Sequence, residues 1–412
     1  MKKKRILFLA GDYDQAKFIT HLQQLGHYII LVDYLPNPPA KKVANEFYQI
    51  STLDLDKVLS LAETKHIDLI TTAYTDQALL TAAYVAEKMN LPFYLSYEQA
   101  VNVTNKFYMK EIFQNAGIPT AKNKTLSELD KISHITDLNY PLVVKPCDCN
   151  SSKGILKVYD KTELYSATAE ALKLSRSHKV IIEEYAIGRE LSIDIWLSST
   201  TPILLGVSST KKIKNSANFT IVQSEYPVSL NDELLSKIKA SAEKIAVAFN
   251  LKNMPMIIQL IENEGDIKLL EFSARIGGGS KYRLINYISG VNVEDLYTKL
   301  IFEGSAFLLP KQPVTFSGKY LEMDYLYAMP GIFSSLQGVE ELKIAGIIEE
   351  YFPYKTYGAV IKGNTVSSDR IGGFLISADS KEDLLNKRHR ALSGIKVFDE
   401  NKNDILIRNL YE

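Results

Sequence analysis

The densest chemistry in this 412-residue sequence lies in residues 257–281, IIQLIENEGDIKLLEFSARIGGGSK. Two apolar stretches flank Asn263-Glu264-Gly265-Asp266, a turn sequence that predicts a two-strand hairpin. Folding there brings Gln259 on the first strand opposite Glu271 on the second, so two hard oxygen donors meet. Ser273 shares a strand face with Glu271 by the period-2 rule. Such donors suit Mg²⁺, which also borrows phosphate oxygens. A plain hairpin with incidental polar residues gives the same pattern. Arg275 and Gly277-Gly278-Gly279 tip the balance. A cation beside a metal site, then glycines that let backbone approach a ligand, is a costly arrangement for a purely structural turn.

A second cluster is VIIEEYAIGRELSIDIW, residues 180–196. An apolar strand ends in Glu183-Glu184-Tyr185, and after Gly188 an alternating strand starts at Glu190. Such a linker offers backbone donors and acceptors to an adenine edge and an acid to ribose hydroxyls; an ordinary acidic strand connection reads the same way. A third cluster is PLVVKP, residues 141–146, where Lys145 ends a hydrophobic strand and holds its compact charge at a sheet edge, within reach of a phosphate. Behind it, Asn150-Ser151-Ser152-Lys153-Gly154 is a small polar loop able to close over phosphates through backbone N–H groups. Lys106 opens a helix, a position where lysine is usually just solvated.

The elements that must position these groups follow from hydrophobic periodicity. Strands at 5–10, 28–33, 67–72 and 92–95 alternate with helices at 13–25 and 75–88, which predicts a helix-covered parallel sheet. Gly11-Asp12-Tyr13-Asp14 stands where a dinucleotide fold carries its glycine-rich turn, but one glycine and two acids would repel a pyrophosphate. Without the glycines, Asp33 is disfavoured as a ribose-binding acid. From about 102 the texture changes. A helix at 104–116 ends at Gly117, and strands at 142–145, 155–158 and 180–184 enclose a helix at 162–175. Strands at 191–197, 203–208, 256–261 and 267–272 follow, with a helix at 231–249. Hairpins interleaved with helices suggest α+β lobes, and after Pro310 a mixed β-rich module runs to 412.

Bulk composition narrows the function classes. The length exceeds one hydrophobic core, so two or three packed units are expected. Lys plus Arg and Asp plus Glu both number 48. A chain that spread over nucleic acid or anionic lipid would show a basic excess, so neither partner is indicated. The opening Met-Lys-Lys-Lys-Arg and its short apolar stretch read as the approach to a buried strand rather than a signal peptide. No apolar run approaches the ~18–20 residues of a membrane helix. Only Cys147 and Cys149 occur, too few for a disulfide framework or a structural zinc site, and both read as packing residues. A cytoplasmic protein fits best, with a symmetric homodimer as the default assembly.

The order of these pieces resembles the ATP-grasp superfamily through most of the chain. That resemblance implies an ATP-grasp fold with an N-terminal Rossmann-like parallel-sheet domain at 1–101. The ATP-grasp domain would span 102–309, with a mobile lid lobe at about 120–188, and the C-terminal mixed β-rich module 310–412. Lys106 and Lys145 match the two phosphate-contacting lysines, and Ser151, Ser152, Lys153 and Gly154 match the phosphate loop. Glu183 matches the adenine N6 acceptor, Glu184 and Ala186 supply backbone contacts, and Glu190 matches the ribose acid. Gln259, Glu271 and Ser273 match metal ligands, and Arg275 matches the arginine that steadies the transferred phosphate. The family's usual asparagine is Ser273 here, and Gln259 replaces the commoner acid, which lowers the charge available for a second Mg²⁺.

Within the superfamily the E-x-x-x-R-I-G-G-G run, Met329-Pro330-Gly331 and Asp369-Arg370-Ile371-Gly372-Gly373 are similar to bacterial L-amino acid ligases. The implied cofactors are ATP and Mg²⁺, with Mn²⁺ as the alternative ion, and the implied partners are a small acid and an amine. The expected reaction makes an acyl phosphate, which the amine attacks with release of ADP and phosphate. Three rivals stand beside it: a carboxylase that uses carboxyphosphate, a non-catalytic nucleotide-binding protein, and an NAD-dependent oxidoreductase, which the missing glycines disfavour.

Overall fold

The computed structural model describes residues 3–149, 153–213, 219–304, 316–363 and 365–411. The chain starts with β1 (Arg5–Leu9), α1 (Tyr13–Gln24), β2 (Tyr28–Asp33) and β3 (Glu46–Gln49), then α2 (Leu55–Thr64), β4 (Leu69–Thr71) and α3 (Gln77–Lys88). The four strands are parallel in the order β3-β2-β1-β4. Asp12 starts α1 through a capping box with Gln15. Asp33 accepts the N–H groups of Gly11 and Leu35, both at 2.8 Å, so its carboxylate ties two loops.

Two expectations change in the next stretch. Residues 92–95 form no strand. Pro92 has no N–H for a ladder, and Phe93 and Tyr94 pack on each other while Tyr94 meets Tyr297 edge-on. The expected helix 104–116 is α5 (Lys106–Asn115), and a separate helix that the sequence reading did not give, α4 (Tyr97–Thr104), precedes it. Asn105 separates them, its side chain accepting the Phe107 N–H at 2.9 Å.

A four-stranded antiparallel sheet follows, built from β5 (Asn123–Leu126), β6 (Leu142–Pro146), β7 (Leu156–Val158) and β8 (Val180–Glu184) in the order β5-β8-β6-β7. The helix α6 (Lys161–Leu174) covers it. The chain then enters the largest sheet through β9 (Arg189–Ser198), β10 (Thr201–Lys212) and β11 (Ile221–Tyr226). After α7 (Asp232–Ala248) come β12 (Pro255–Asn263), β13 (Asp266–Ser273), α8 (Lys281–Ser289), α9 (Val293–Glu303) and β14 (Tyr320–Leu326). The last stretch holds β15 (Gly331–Ile332), β16 (Ser335–Gln337), α10 (Val339–Ile344), β17 (Glu350–Pro353) and β18 (Val360–Ile361). It closes with β19 (Gly372–Ala378), α11 (Lys381–Gly394) and β20 (Lys396–Phe398).

Eight strands make one antiparallel sheet in the order β13-β12-β9-β10-β11-β14-β19-β17. The pairing of β11 with β14, Gln223 opposite Asp324, carries this sheet across position 310. Leu191, Ile193 and Ile195 of β9 alternate into the core on one face. Glu190, Ser192 and Asp194 alternate onto the other, and they too are buried, so each needs a polar partner there.

Phe272 of β13 stacks on Phe113 of α5 and meets Phe249 edge-on, with centroids 6.0 and 4.7 Å apart. This aromatic triad fixes α5, and with it Lys106 and Lys110, against the large sheet. Phe113→Ala removes the fully buried ring and is expected to cost about 3–5 kcal/mol. Calorimetric melting of the variant beside wild type measures the loss.

Candidate functional site

The hairpin of β12 and β13 turns through Glu264 (φ 52°) and Gly265 (φ 86°), both left-handed, as a two-residue hairpin loop requires. Asn263 therefore pairs with Asp266, and the ladder runs evenly to Leu260 opposite Leu269. There it shifts by one residue at Leu270, so that Gln259 faces Glu271 instead of Leu270. The two oxygen donors read from the sequence do meet, through a bulge that the turn alone does not dictate. Gln259 is also paired with Ser192 of β9, which in turn pairs with Ser208 of β10. Polar side chains thus run across four strands on one face.

Facing them across a cleft is the smaller sheet. Lys145 is the penultimate residue of β6, one short of its end, and ion-pairs with Glu183 of the neighbouring β8. The second oxygen of Glu183 lies 3.1 Å from the ammonium of Lys110, on α5. Lys106, one helical turn earlier, places its ammonium 3.3 Å from Glu271 and donates to the Cys149 carbonyl at 2.9 Å. Burial alone would raise the Glu183 carboxyl, but Lys110 and Lys145 outweigh it and hold it below the usual carboxylate range. Glu271 is treated the same way: burial pushes up, and Lys106 and Lys145 push it down further. Desolvation instead lowers the Lys110 ammonium, which sits between two acids and Lys145.

Between the sheets lies a cavity of about 560 Å³, with Lys106 and Lys110 behind its walls rather than among the residues that line it. Lys145, Glu183, Glu184, Ala186, Glu190, Gln259 and Glu271 all line it. Glu190 is held by Lys212, reaching from β10. The Glu184 carboxylate turns away to accept from Asn139, and its N–H bonds the Lys122 carbonyl at 3.0 Å. The Ala186 N–H has no hydrogen-bond partner among the described residues. Gly188 completes this linker with φ 144°; a Cβ there would lie 2.2 Å from the Glu262 carbonyl oxygen, so only glycine lets the linker pass the edge of β12.

The other expected site residues lie apart. Ser273 pairs with Ile257 and is not among the residues lining the cavity. Lys153 and Gly154 also lie off its walls, and Ser151 and Ser152 fall outside the described residues. Arg275 stands beyond the cavity, bound through two nitrogens to Asp76 at the start of α3, with Nε to Oδ1 at 2.8 Å. Cys147 is buried and its thiol is pushed up to about 12, chiefly by desolvation, as a packing residue requires.

Sequence reasoning passed over Lys110, Asp76, Lys212 and the buried Lys281. The signal for Lys110 was present, because it stands four residues after Lys106 and so on the same face of α5. Lys281 donates to Ser208 at 2.6 Å, and its charge lies near Asp194 and Glu190, at the far end of the polar face. Among the described residues no group of three or more His, Cys, Asp or Glu stands ready for a metal. Gln259 and Glu271 fit a hard ion that takes further oxygens from phosphate. No helix among the described residues is long and apolar enough to cross a membrane.

Comparison with known proteins places this architecture. The model for the D-ala D-ala ligase C-terminus matches residues 112–302. A D-alanine–D-alanine ligase from Geobacillus thermodenitrificans is 28% identical over 256 residues, 58% of this chain and 69% of that one. Other relatives are far longer: the chain covers 27% of a carbamoyl phosphate synthase large chain from Clostridium beijerinckii, at 22% identity over 70% of its own length. It spans 14% of a multifunctional protein of Emericella nidulans, also at 22% identity. The crystal structure of the L-amino acid ligase from Bacillus licheniformis superposes with a TM-score of 0.79 at 20% identity, covering 97% of this chain and 100% of that one. That of an N5-carboxyaminoimidazole synthetase from Staphylococcus aureus, complexed with ADP, gives 0.73 at 16% identity over 94% and 97%. The expected fold, parallel-sheet start and α+β remainder, is the one found.

Because the Glu183 pKa is depressed in the fold, its stabilisation is present above the unfolded value of about 4.3 and is lost as pH falls through the folded value. Glu183→Gln leaves Lys110 and Lys145 buried without a counter-ion and is expected to cost about 3–5 kcal/mol near neutral pH. Urea unfolding of both proteins across pH should show that difference shrinking below about pH 4. A gap independent of pH would contradict the ionised pairing.

Proposed function

We propose that this ATP-grasp protein is a ligase that joins a small carboxylic acid to an amine through an acyl phosphate, releasing ADP and phosphate. The observation that carries this reading is the cavity itself, where Lys145, Glu183, Glu190, Gln259 and Glu271 converge between two sheets. Its size is that of a small-molecule site. In this reading residues 1–101 form the pre-ATP-grasp domain, 102–309 the ATP-grasp domain with a lid at about 120–188, and 310–412 the C-terminal module.

The adenine lies against the linker from Glu183 to Gly188. The unpartnered Ala186 N–H, with the Glu184 backbone, meets the base, and Glu190 receives ribose hydroxyls. The Glu183 carboxylate is already paired with two lysines, so an adenine amino group would share it with them. Phosphates draw Lys145 and Lys106 away from their carboxylates, since three ammonium groups face two acids there and the surplus is positive. The phosphate loop Ser151–Gly154 belongs to this reading on its sequence alone. Gln259 and Glu271, with Ser273 beside them, hold Mg²⁺, which supplies Lewis-acid stabilisation of the phosphoryl group when bound. Phosphoryl transfer needs positioning and charge spreading rather than covalent help, and Lys106, Lys145 and Arg275 provide both. Asp76 fixes the plane of Arg275 through its two-nitrogen bond, so the cation is pre-oriented.

The amine then attacks the acyl phosphate, and the small sheet folded over the cavity keeps water from that intermediate. The carboxylase alternative uses the same site, with bicarbonate in place of the acid. A phosphate-release screen with ATP, Mg²⁺ and pooled acids and amines separates the two, since a carboxylase answers bicarbonate without an amine. Glu271→Ala is expected to lower turnover by about 100-fold or more, with nucleotide binding retained by calorimetry. Undiminished turnover would refute the metal role.

A further inference from the structure

The Gly277–Gly279 loop separates two arginines with opposite circumstances. Arg275 is neutralised by Asp76. Arg370, from the turn before β19, is only 8% exposed, yet no carboxylate among the described residues lies within ion-pair distance of it. Its surroundings are aromatic and neutral. The guanidinium carbon stands 3.7 Å from the centroid of the Tyr325 ring and 5.9 Å from that of Tyr354. Nε donates to the Tyr327 hydroxyl at 3.0 Å and one terminal nitrogen to the Ile221 carbonyl at 3.3 Å.

The other terminal nitrogen has no hydrogen-bond partner among the described residues and points at the glycine loop. A Cβ on Gly279 would lie 3.0 Å from it, and a Cβ on Gly278 would lie 3.8 Å from a terminal nitrogen of Arg275. Given the ~3.8 Å spacing of neighbouring Cα atoms, the two guanidiniums are at most about 14 Å apart. The tyrosines that frame Arg370 are themselves tied to this loop: Tyr325 donates to the Gly279 carbonyl at 2.8 Å and Tyr354 to the Ser280 hydroxyl at 3.0 Å. Of the acids near these groups, Asp14 is already engaged by Ser280, Tyr282 and Arg283 at 2.7, 3.0 and 3.6 Å, and Asp369, though next in sequence and close enough to act on Tyr327, forms no ion pair with Arg370 among the described residues.

A buried cation without a counter-ion is costly unless something else completes it. Stacking on Tyr325 and the bonds to Tyr327 and Ile221 offset part of that cost, but they are all to neutral groups, and one terminal nitrogen is left to donate to an anion. We propose that Arg370 is the counter-ion for an anionic group, a carboxylate, on a substrate whose reacting end lies on the Arg275 side of the glycine loop. Arg370 thereby selects substrates that carry a second charge remote from the bond being made. This rests on the ligase reading for the identity of the reacting end.

The test separates the two claims. AMP-PNP with Mg²⁺ is first titrated into wild-type protein by calorimetry, and failure to bind there counts against the ligase reading alone. Melting temperature is then followed, with and without AMP-PNP, against a pool of dicarboxylic acids, a pool of L-amino acids, and the matching pools in which that carboxyl is an amide or absent. A carboxylate pool should raise the melting temperature where its uncharged counterpart does not. Arg370→Gln should lose that response and Arg370→Lys keep part of it, while the AMP-PNP affinity of both stays at the wild-type value. A response to dicarboxylates puts the anion on the acid partner, and a response to amino acids alone puts it on the amine. Wild-type protein that ignores both carboxylate pools, or answers the neutral pools equally, overturns the proposal. So does a folded Arg370→Gln protein with an undiminished response. The wild-type comparison stands even where a variant fails to fold.

Discussion

Buried charge must be paired, and that constraint organises the centre of this molecule. Glu183 is 2% exposed and Lys110 3%; neither would stay ionised alone. Each is acceptable because the helix α5, the small sheet and the edge of the large sheet bring Lys106, Lys110 and Lys145 to two carboxylates. The partners come from different layers, so the network forms only when all three are docked. It also leaves one positive charge in excess, which gives an anionic ligand a reason to enter where a neutral one has none.

Much of this was legible in the residues. The hairpin turn, the apolar strand that carries Lys145 and the acid pair before Gly188 each carry a local signal, because the turn needs left-handed residues and strands need alternation. What escaped was the part set by partners distant in sequence. The bulge at Leu270 decides that Glu271 faces Gln259, yet an even ladder from the same turn would have put Leu270 there. Lys110 has the composition of a solvated helix residue until β8 supplies Glu183. Residues 92–95 have strand composition, but Pro92 and the packing of Tyr94 on Tyr297 remove them from the ladder.

The continuity of the large sheet has a mechanical consequence. Strands β12 and β13, which carry Gln259 and Glu271, and β14 and β19, which lead to Tyr325 and Arg370, belong to one hydrogen-bonded surface. The glycine loop leaves the end of β13 and is held at Gly279 and Ser280 by tyrosines of the C-terminal stretch, and at Ser280 by Asp14 of α1. Arg275 is held by Asp76. Three separate parts of the chain thus fix a loop of three glycines that would otherwise be free, and the entropy of that loop is removed in the fold rather than on binding.

Gln259 is best understood against the same charge balance. An acid there would add a second carboxylate opposite Glu271, which is already paired one to one with Lys106. In the proposed reading the neutral amide keeps an oxygen donor in place without drawing Lys106 further from the phosphates. It also leaves Glu271 as the one carboxylate of the Gln259–Glu271 pair, so a divalent ion held there would be incompletely neutralised by that pair alone. The remaining negative charge must then come from the ligand that brings it. In that reading metal and nucleotide affinity would be coupled on this ground, each supplying what the other lacks.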